Sequence, residues 1–315
     1  MKLKLDFNID PFPFQFSHKE NALLIGSCFS EEMTNHFASS GFNVLGNPFG
    51  TLFHPLAIAN CLKASISNDN NVEVYQRDDV FFSWDSASKI YGASESELIS
   101  KVLAARSSVR ERLTNAKLLV VTFGTAWGYY HASNGMVVGN CHKASQSTFE
   151  KQLTSIEEVQ VVWKELIAQL KTINPDLHVV FTVSPVRHKK DGLAENNRSK
   201  ARLIESVHSL CELTDVHYFP AYEILIDELR DYRFYASDLV HPSKEAVEYI
   251  WEAFSKSLFN KEALELIKEI SSIYTGLIHR SLFPASEADK KRREGLEERK
   301  SQLIKNYPTI QWPQT

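Results

Sequence analysis

The stretch Ala22-Leu23-Leu24-Ile25-Gly26-Ser27-Cys28-Phe29-Ser30-Glu31-Glu32 decides the fold. Its four leading apolar residues read as a short buried strand. Gly26-Ser27-Cys28-Phe29 then turns the chain. Ser30, with two acids behind it, reads as a capped helix start, because carboxylates favour the positive end of a helix dipole. A serine at the carboxyl end of a strand lies where open parallel sheets bind their ligands. Ser27 is therefore the first candidate for chemistry.

Working outward, the same strand-then-helix rhythm recurs. Met33 and Phe37 stand four apart, with Gly41 as the stop, and Phe42–Leu45 is a second strand ending at Gly46. Leu118–Phe123 is an unbroken β-rich run, as expected of a central parallel strand. Ile156, Val159, Val162, Trp163, Leu166, Ile167 and Leu170 form a helical stripe. Val179–Val183 is the next strand, halted by Ser184-Pro185. Leu203, Ile204, Val207, Leu210 and Cys211 mark another helix, Val216–Pro220 a last strand, and Val247, Ile250, Trp251, Phe254 and Leu258 a closing helix. Alternation of this kind predicts an α/β fold: a three-layer α/β/α sandwich around a parallel sheet of about five strands, covered on both faces.

Residues 63–115 interrupt the rhythm. Val72–Tyr75 and Val80–Trp84 suggest a small hairpin, followed by a helix ending before Leu118. This insertion reads either as a lid over the site or as a solvated surface excursion. After residue 260 the character changes again. Leu266, Ile270, Ile273 and Leu277 predict one helix, and the run from Asp289 to Lys300 is densely charged with both signs. Lys290–Glu294 and Arg293–Glu297 are spaced as helical ion pairs, with Leu296 and Leu303 on one edge. The expected division is a catalytic domain over residues 1–260 and a charged helical C-terminal extension over 261–315. That extension is either a solvated helix or an arm for homo-oligomer formation.

The chain of 315 residues carries a formal net charge of −4, which gives no electrostatic case for nucleic acid. No run is long and apolar enough for a membrane span, and the start Met1–Asp6 lacks the apolar core of a signal peptide, so a cytoplasmic protein is expected. Cys28, Cys61, Cys141 and Cys211 are widely spaced, with no CxxC pair, which predicts free thiols and neither a disulfide scaffold nor a zinc ribbon. No glycine-rich phosphate loop is present, and no cofactor or metal is expected. Cys28 could offer a thiolate, but on a sharp turn only one of Ser27 and Cys28 can face a base.

A serine hydroxyl needs such a base within hydrogen-bond reach. Ser237-Asp238-Leu239-Val240-His241 supplies one: His241 as base, with Asp238 three residues before it to orient the imidazole and stabilise its cation. Attack of a serine on a carbonyl also needs donors aimed at the developing oxyanion. The backbone N–H groups of Ser27, at a helix entrance, and of Gly46, where the chain can approach closely, are candidates. Asn47, Trp127, His142, Arg187 and His188 are candidate substrate contacts, and His54 is a weaker one. Trp127 reads equally as core packing, and His142 and His188 as structural histidines. Cys141 beside His142 lacks the spaced second pair that a metal site needs.

These blocks together resemble the GSCFA family of the SGNH/GDSL hydrolase superfamily. Gly26-Ser27-Cys28-Phe29 matches its name-giving motif, with Ser30 in place of the alanine, and Asp238–His241 is similar to the superfamily's terminal Asp-x-x-His block. Gly46-Asn47-Pro48-Phe49-Gly50-Thr51, Thr122–Trp127, Gly139-Asn140-Cys141-His142-Lys143 and Ser184–His188 resemble further blocks of the same family. The resemblance covers roughly residues 20–260 and favours Ser27 over Cys28. It implies a flavodoxin-like SGNH-hydrolase fold and a metal-independent Ser27–His241–Asp238 triad. It also implies removal of a short acyl group, such as acetyl, from a carbohydrate or other hydroxylated ester substrate. Acyl transfer to another alcohol, or catalytically silent ligand binding, is the alternative. The superfamily adds an asparagine donor in a Gly-x-Asn block, where this chain reads Gly124-Thr125-Ala126-Trp127. Thr125, Asn47, Asn140 or the Trp127 indole would have to replace it, with Thr125 preferred.

Overall fold

The computed structural model describes residues 7–284 and 286–313. β1 (Asn21–Gly26) leads into α1 (Cys28–Ser39), β2 (Asn43–Gly46) and α2 (Pro55–Ile66). A small antiparallel sheet follows, made of β3 (Tyr75–Arg77), β4 (Val80–Phe82) and β5 (Tyr91–Gly92). α3 (Glu95–Asn115) then returns the chain to β6 (Ala116–Phe123). A hairpin of β7 (Trp127–His131) and β8 (Phe149–Leu153) precedes α4 (Ile156–Ile173), β9 (His178–Val183), α5 (Leu193–Leu210) and β10 (Val216–Tyr218). A short α6 (Ala221–Glu223) runs into a π-helical turn, and α7 (Lys244–Leu258), α8 (Lys261–Ile278) and α9 (Glu287–Asn306) close the chain. Among the described residues no helix is long and apolar enough to cross a membrane.

The main sheet runs in the order β10-β9-β6-β1-β2, with every neighbouring pair parallel. The chain steps from β1 to β2 on one side and then crosses back to β6 on the other. The carboxyl ends of β1 and β6 thus form the topological switch point, where open α/β sheets bind ligands. Both faces are covered, which is why the strands read as continuous apolar runs. Leu23, Ile25, Leu119, Val121, Val179 and Phe181 face α2 to α5, meeting Ile58, Val109, Trp163 and Leu203. Ala22, Leu24, Leu118, Val120 and Val180 face α1 and α7, meeting Met33, Phe37, Ile250 and Phe254. Trp163 packs edge-on against Phe123 and Phe181 at 5.3 and 5.1 Å, and its indole donates to the Pro55 carbonyl at 3.2 Å.

The predicted three-layer sandwich is the observed one. Several details differ. The helix after β1 starts at Cys28, so Ser27 occupies the cap position and Ser30 lies inside the first turn. The hairpin expected at Val72–Tyr75 and Val80–Trp84 begins later, at Tyr75, and a third strand joins it. α2 and the β7–β8 hairpin were not anticipated. In α9, Lys290 pairs with Glu287, not Glu294, and Arg293 with Asp289, not Glu297; the buried Asp289 near the helix start collects both Arg292 and Arg293.

The extension is docked on the sandwich. Leu266, Ile270, Ile273, Leu303 and Ile310 form one apolar cluster between α8 and α9. Leu296 seats against Gly276 of α8, and Leu303 is buried, so the apolar edge expected to serve association is covered within the chain. Beyond α9, the Gln311 N–H donates to the Gly41 carbonyl at 2.9 Å.

Candidate active site

The turn after β1 is held by backbone and glycine geometry. Gly26 has φ of 140°, and a Cβ there would meet the Thr122 carbonyl oxygen at 2.2 Å, so only glycine lets β1 leave β6 at this angle. Ser27 follows in extended conformation, with its N–H donating to that same Thr122 oxygen at 3.1 Å. A cap serine normally gives its hydroxyl oxygen to the helix. Here the side chain makes no capping bond, and Oγ has no hydrogen-bond partner although the residue is only 1% exposed. Thr122 and Thr182 stand opposite each other in register at the ends of β6 and β9, on the α1/α7 face, and their hydroxyls also lack partners. Buried polar atoms without partners are uncommon and call for an explanation such as water, an ion or substrate.

Asn47 completes this turn. It sits at φ 41°, which asparagine tolerates better than most residues, and its N–H donates to Leu24 O at 2.9 Å. Its side-chain oxygen accepts from the Gly26 N–H at 2.8 Å. That bond fixes the amide orientation, and the Nδ2 group is left buried with no acceptor. A carboxamide anchored at one end and unsatisfied at the other is a preorganised donor.

The second half of the site is the loop before α7. His241 Nδ1 donates to Asp238 Oδ2 at 2.6 Å, and Asp238 Oδ1 accepts the N–H groups of Val240 and His241 at 2.9 and 3.0 Å. The His241 hydrogen bond and these two N–H groups hold the Asp238 carboxyl well below the usual carboxylate range. The Ala236 N–H closes the loop onto the His241 carbonyl at 2.8 Å. Both side chains are 48% exposed. No hydrogen bond joins the buried Ser27 to His241, so the Asp–His pair is assembled while its contact with the serine is open.

The remaining candidates divide. Arg187 clasps the Asp–His loop: its N–H donates to Val240 O at 3.2 Å, and its guanidinium lies 4.1 Å over Tyr235. That is a structural task, not the substrate clasp expected. The Ser27 N–H, expected at the oxyanion, is committed to Thr122. Gly46 is also corrected. Asn47 pairs with β1, so by strand alternation the preceding N–H faces away from β1, and the missing side chain makes room for Thr34, which a Cβ would meet at 2.2 Å. Thr125 is buried, with its hydroxyl bonded to Ser199 Oγ and to the Trp127 N–H, each at 3.0 Å, which places it in a structural network. Trp127 is half-buried, Lys151 Nζ sits 4.9 Å over its ring, and its indole N–H points to the Glu195 carbonyl at 3.4 Å.

His142 is buried. Its Nε2 lies 2.9 and 3.0 Å from the Ser83 and Ser86 carbonyls, so it clamps the insertion to the Asn140 loop; burial lowers its pKa. His54 caps α2 and meets Thr154 Oγ1 at 2.9 Å, with burial pushing its pKa down to about 4. Asn140 accepts the His142 N–H at 2.8 Å. His188 stands in the loop after β9 with its Nε2 3.9 Å from Asp191. Burial pushes the Cys28 thiol up, which disfavours a thiolate. Among the described residues no three His, Cys, Asp or Glu side chains gather to hold a metal ion.

Sequence reasoning missed Lys200 of α5. It is 1% exposed, and its ammonium donates to the carbonyls of Gly124 at 2.7 Å and Ser184 at 2.6 Å, at the ends of β6 and β9. The signal was present: Asn196, Lys200, Leu203 and Val207 recur at helical spacing on the buried face.

Fold and site together define a doubly wound α/β protein with a buried serine at its switch point and an exposed Asp–His pair in the loop before α7. The sequence profile of the GSCFA family matches residues 21–254, and the chain belongs to that family. Among solved structures it is similar to an acetyl xylan esterase, Est2A, from the rumen bacterium Butyrivibrio proteoclasticus. The likeness is 11% sequence identity and a TM-score of 0.33, over 81% of this chain and 66% of that one. No curated protein matches the chain.

Proposed function

We propose that the protein is a serine ester hydrolase that works through an acyl-enzyme on Ser27. The observation that carries this reading is the unpartnered Ser27 hydroxyl together with Asn47, whose side-chain oxygen is anchored to the Gly26 N–H next to that serine while its Nδ2 end stays free. In the reaction Ser27 Oγ attacks the ester carbonyl and His241 Nε2 takes the hydroxyl proton. Asp238 holds the opposite nitrogen and stabilises the imidazolium. Asn47 Nδ2 donates to the oxygen that becomes negative, taking the place assigned to Thr125. The alcohol leaves with the proton from His241, and water then repeats the sequence on the acyl-serine. Closing the Asp238–His241 loop toward Ser27 is the step that completes the constellation.

The burial of Ser27 favours a slim acyl group such as acetyl. A carbohydrate or other polyhydroxylated alcohol is the proposed carrier, on the strength of the family resemblance. The same burial favours a second reading, transfer of the acyl group to an alcohol, since a water-poor pocket prolongs the acyl-enzyme. The test is a panel of acetylated sugars and aryl acetates with wild type and Ser27→Ala, together with fluorophosphonate labelling and added acceptor alcohols. Labelling that persists in Ser27→Ala rejects the nucleophile. A wild type that neither labels nor turns over any ester leaves a silent ligand-binding protein as the reading.

A further inference from the structure

Lys200 has no part in the acyl-transfer scheme above, yet few groups cost a fold more than a buried ammonium without a carboxylate partner. Its two acceptors are the carbonyls of Gly124 and Ser184, at 2.7 and 2.6 Å. These carbonyls lie just past the ends of β6 and β9, two residues beyond Thr122 and Thr182, whose register aligns them with Gly26. The Ser27 turn is itself fastened to β6 through Thr122. One side chain thus ties together the strand ends that support the nucleophile.

The groups facing the ammonium leave its charge uncancelled. From α1 comes Cys28, the neighbour of Ser27, whose thiol and Lys200 influence one another's titration. From the loop after β9 comes His188, and from α6 the ring of Tyr222, 5.8 Å away. Burial raises the pKa of Cys28 and Tyr222 and lowers that of His188, so all three favour the neutral form near pH 7.

We propose that Lys200 is a positioning residue for the esterase reaction, fixing the carboxyl ends of β6 and β9 that support the Ser27 turn and holding a positive charge near Cys28, the neighbour of Ser27. This rests on the reading of Ser27 as nucleophile. Desolvation pulls the ammonium down to about 7, so the charge is present below neutrality and lost as the pH rises. Turnover therefore falls on the alkaline side through one deprotonation.

The experiment uses the full chain with one activated acetyl ester. It compares wild type, Ser27→Ala, Lys200→Met and Lys200→Arg, with active sites counted by fluorophosphonate. Lys200→Met should lower kcat per active site roughly ten- to a hundredfold with KM nearly unchanged. Lys200→Arg, which keeps its charge, should retain more activity than Lys200→Met. Both variants should lose the alkaline fall that wild type shows near pH 7 to 8. If neither variant folds, the pH dependence of phosphonate labelling in wild type decides, and a rate that does not fall from about pH 6.5 to 9 overturns the proposal. So does a Lys200→Met enzyme with wild-type kcat per active site, or an alkaline limb unchanged in both variants. A wild type without esterase activity, or an active Ser27→Ala, refutes the proposed function instead.

Discussion

Asn47→Asp separates the two ends of one side chain. The aspartate keeps an oxygen for the Gly26 N–H, which now donates to Asn47 Oδ1 at 2.8 Å, and aspartate also tolerates φ of 41°. The turn and the placement of Ser27 should survive. What changes is the other end, where a donor becomes an acceptor carrying negative charge. Loss of one oxyanion donor costs about 3 to 4 kcal/mol of transition-state stabilisation, a factor of roughly 100 to 1,000 in kcat. A carboxylate facing the developing anion repels it, so the expected loss lies at or beyond the upper figure. KM should change little, because the interaction is made chiefly in the transition state. Asn47→Ala serves as the contrast: it forfeits the Gly26 bond and strains the backbone, so it should destabilise the fold by about 2 to 4 kcal/mol. The assay is kcat and KM on an aryl acetate, with urea unfolding of each variant. An Asn47→Asp enzyme within threefold of wild-type kcat at neutral pH would remove Asn47 from the oxyanion site.

Asp238→Asn should leave the Val240 and His241 N–H groups an acceptor but lower kcat/KM by about 10⁴-fold, because the imidazole loses its orienting carboxylate. The depressed carboxyl pKa means that the loop's extra stability is complete above the ordinary carboxylate range and is lost as the pH falls through the folded-state value. The stabilities of wild type and Asp238→Asn should therefore differ fully at neutral pH and converge as the pH falls below the ordinary carboxylate range into strong acid. Gly26→Ala, with a Cβ 2.2 Å from Thr122 O and φ of 140°, should destabilise by about 3 kcal/mol or more in urea titrations; a near-neutral result would contradict the turn geometry. Cys28→Ala should keep kcat within a few-fold of wild type, since the thiol is held protonated, and a collapse in ester turnover would move the nucleophile one residue along. Exhaustive chelation should leave turnover unchanged; loss on chelation with recovery on added zinc would overturn the serine mechanism.

The sandwich was legible because its strands are buried on both faces. Leu118–Phe123 and Val179–Val183 then lack the apolar–polar alternation of a half-solvated strand, with one threonine each as their sole polar residue. Where one face is wet, the reading weakened. β7 is half-buried and β8 mostly exposed, with Trp127-Gly128-Tyr129-Tyr130-His131 paired to Phe149–Leu153, and they offer no apolar run. α2 is apolar on most sides, so its period is faint, although Pro55 after the cap residue His54 marks its start. At the proposed site, residue type and spacing single out Ser27, Asp238 and His241. Asn47 stands among the replacements for the missing asparagine donor, behind Thr125; preferring it depends on a left-handed backbone that pairs one amide end with Gly26. Arg187, Thr125 and His142 misled for a shared reason: a polar side chain near a strand end serves the framework as readily as the substrate, and only its partners tell which.

The bond from Gln311 to Gly41 joins the first βα unit to a segment nearly the whole sequence away. Ile270 of α8 reaches the same glycine, which has room for it only because no side chain is present. During synthesis β1 and α1 emerge early, yet this corner receives its cover only when the last helix has left the ribosome. Assembly there is bound to be a late event, with a loop-closure cost set by the intervening chain. Until then an apolar face around Ile270 and Ile273 stays open, and it is where a newly made chain would engage a chaperone or a neighbouring copy.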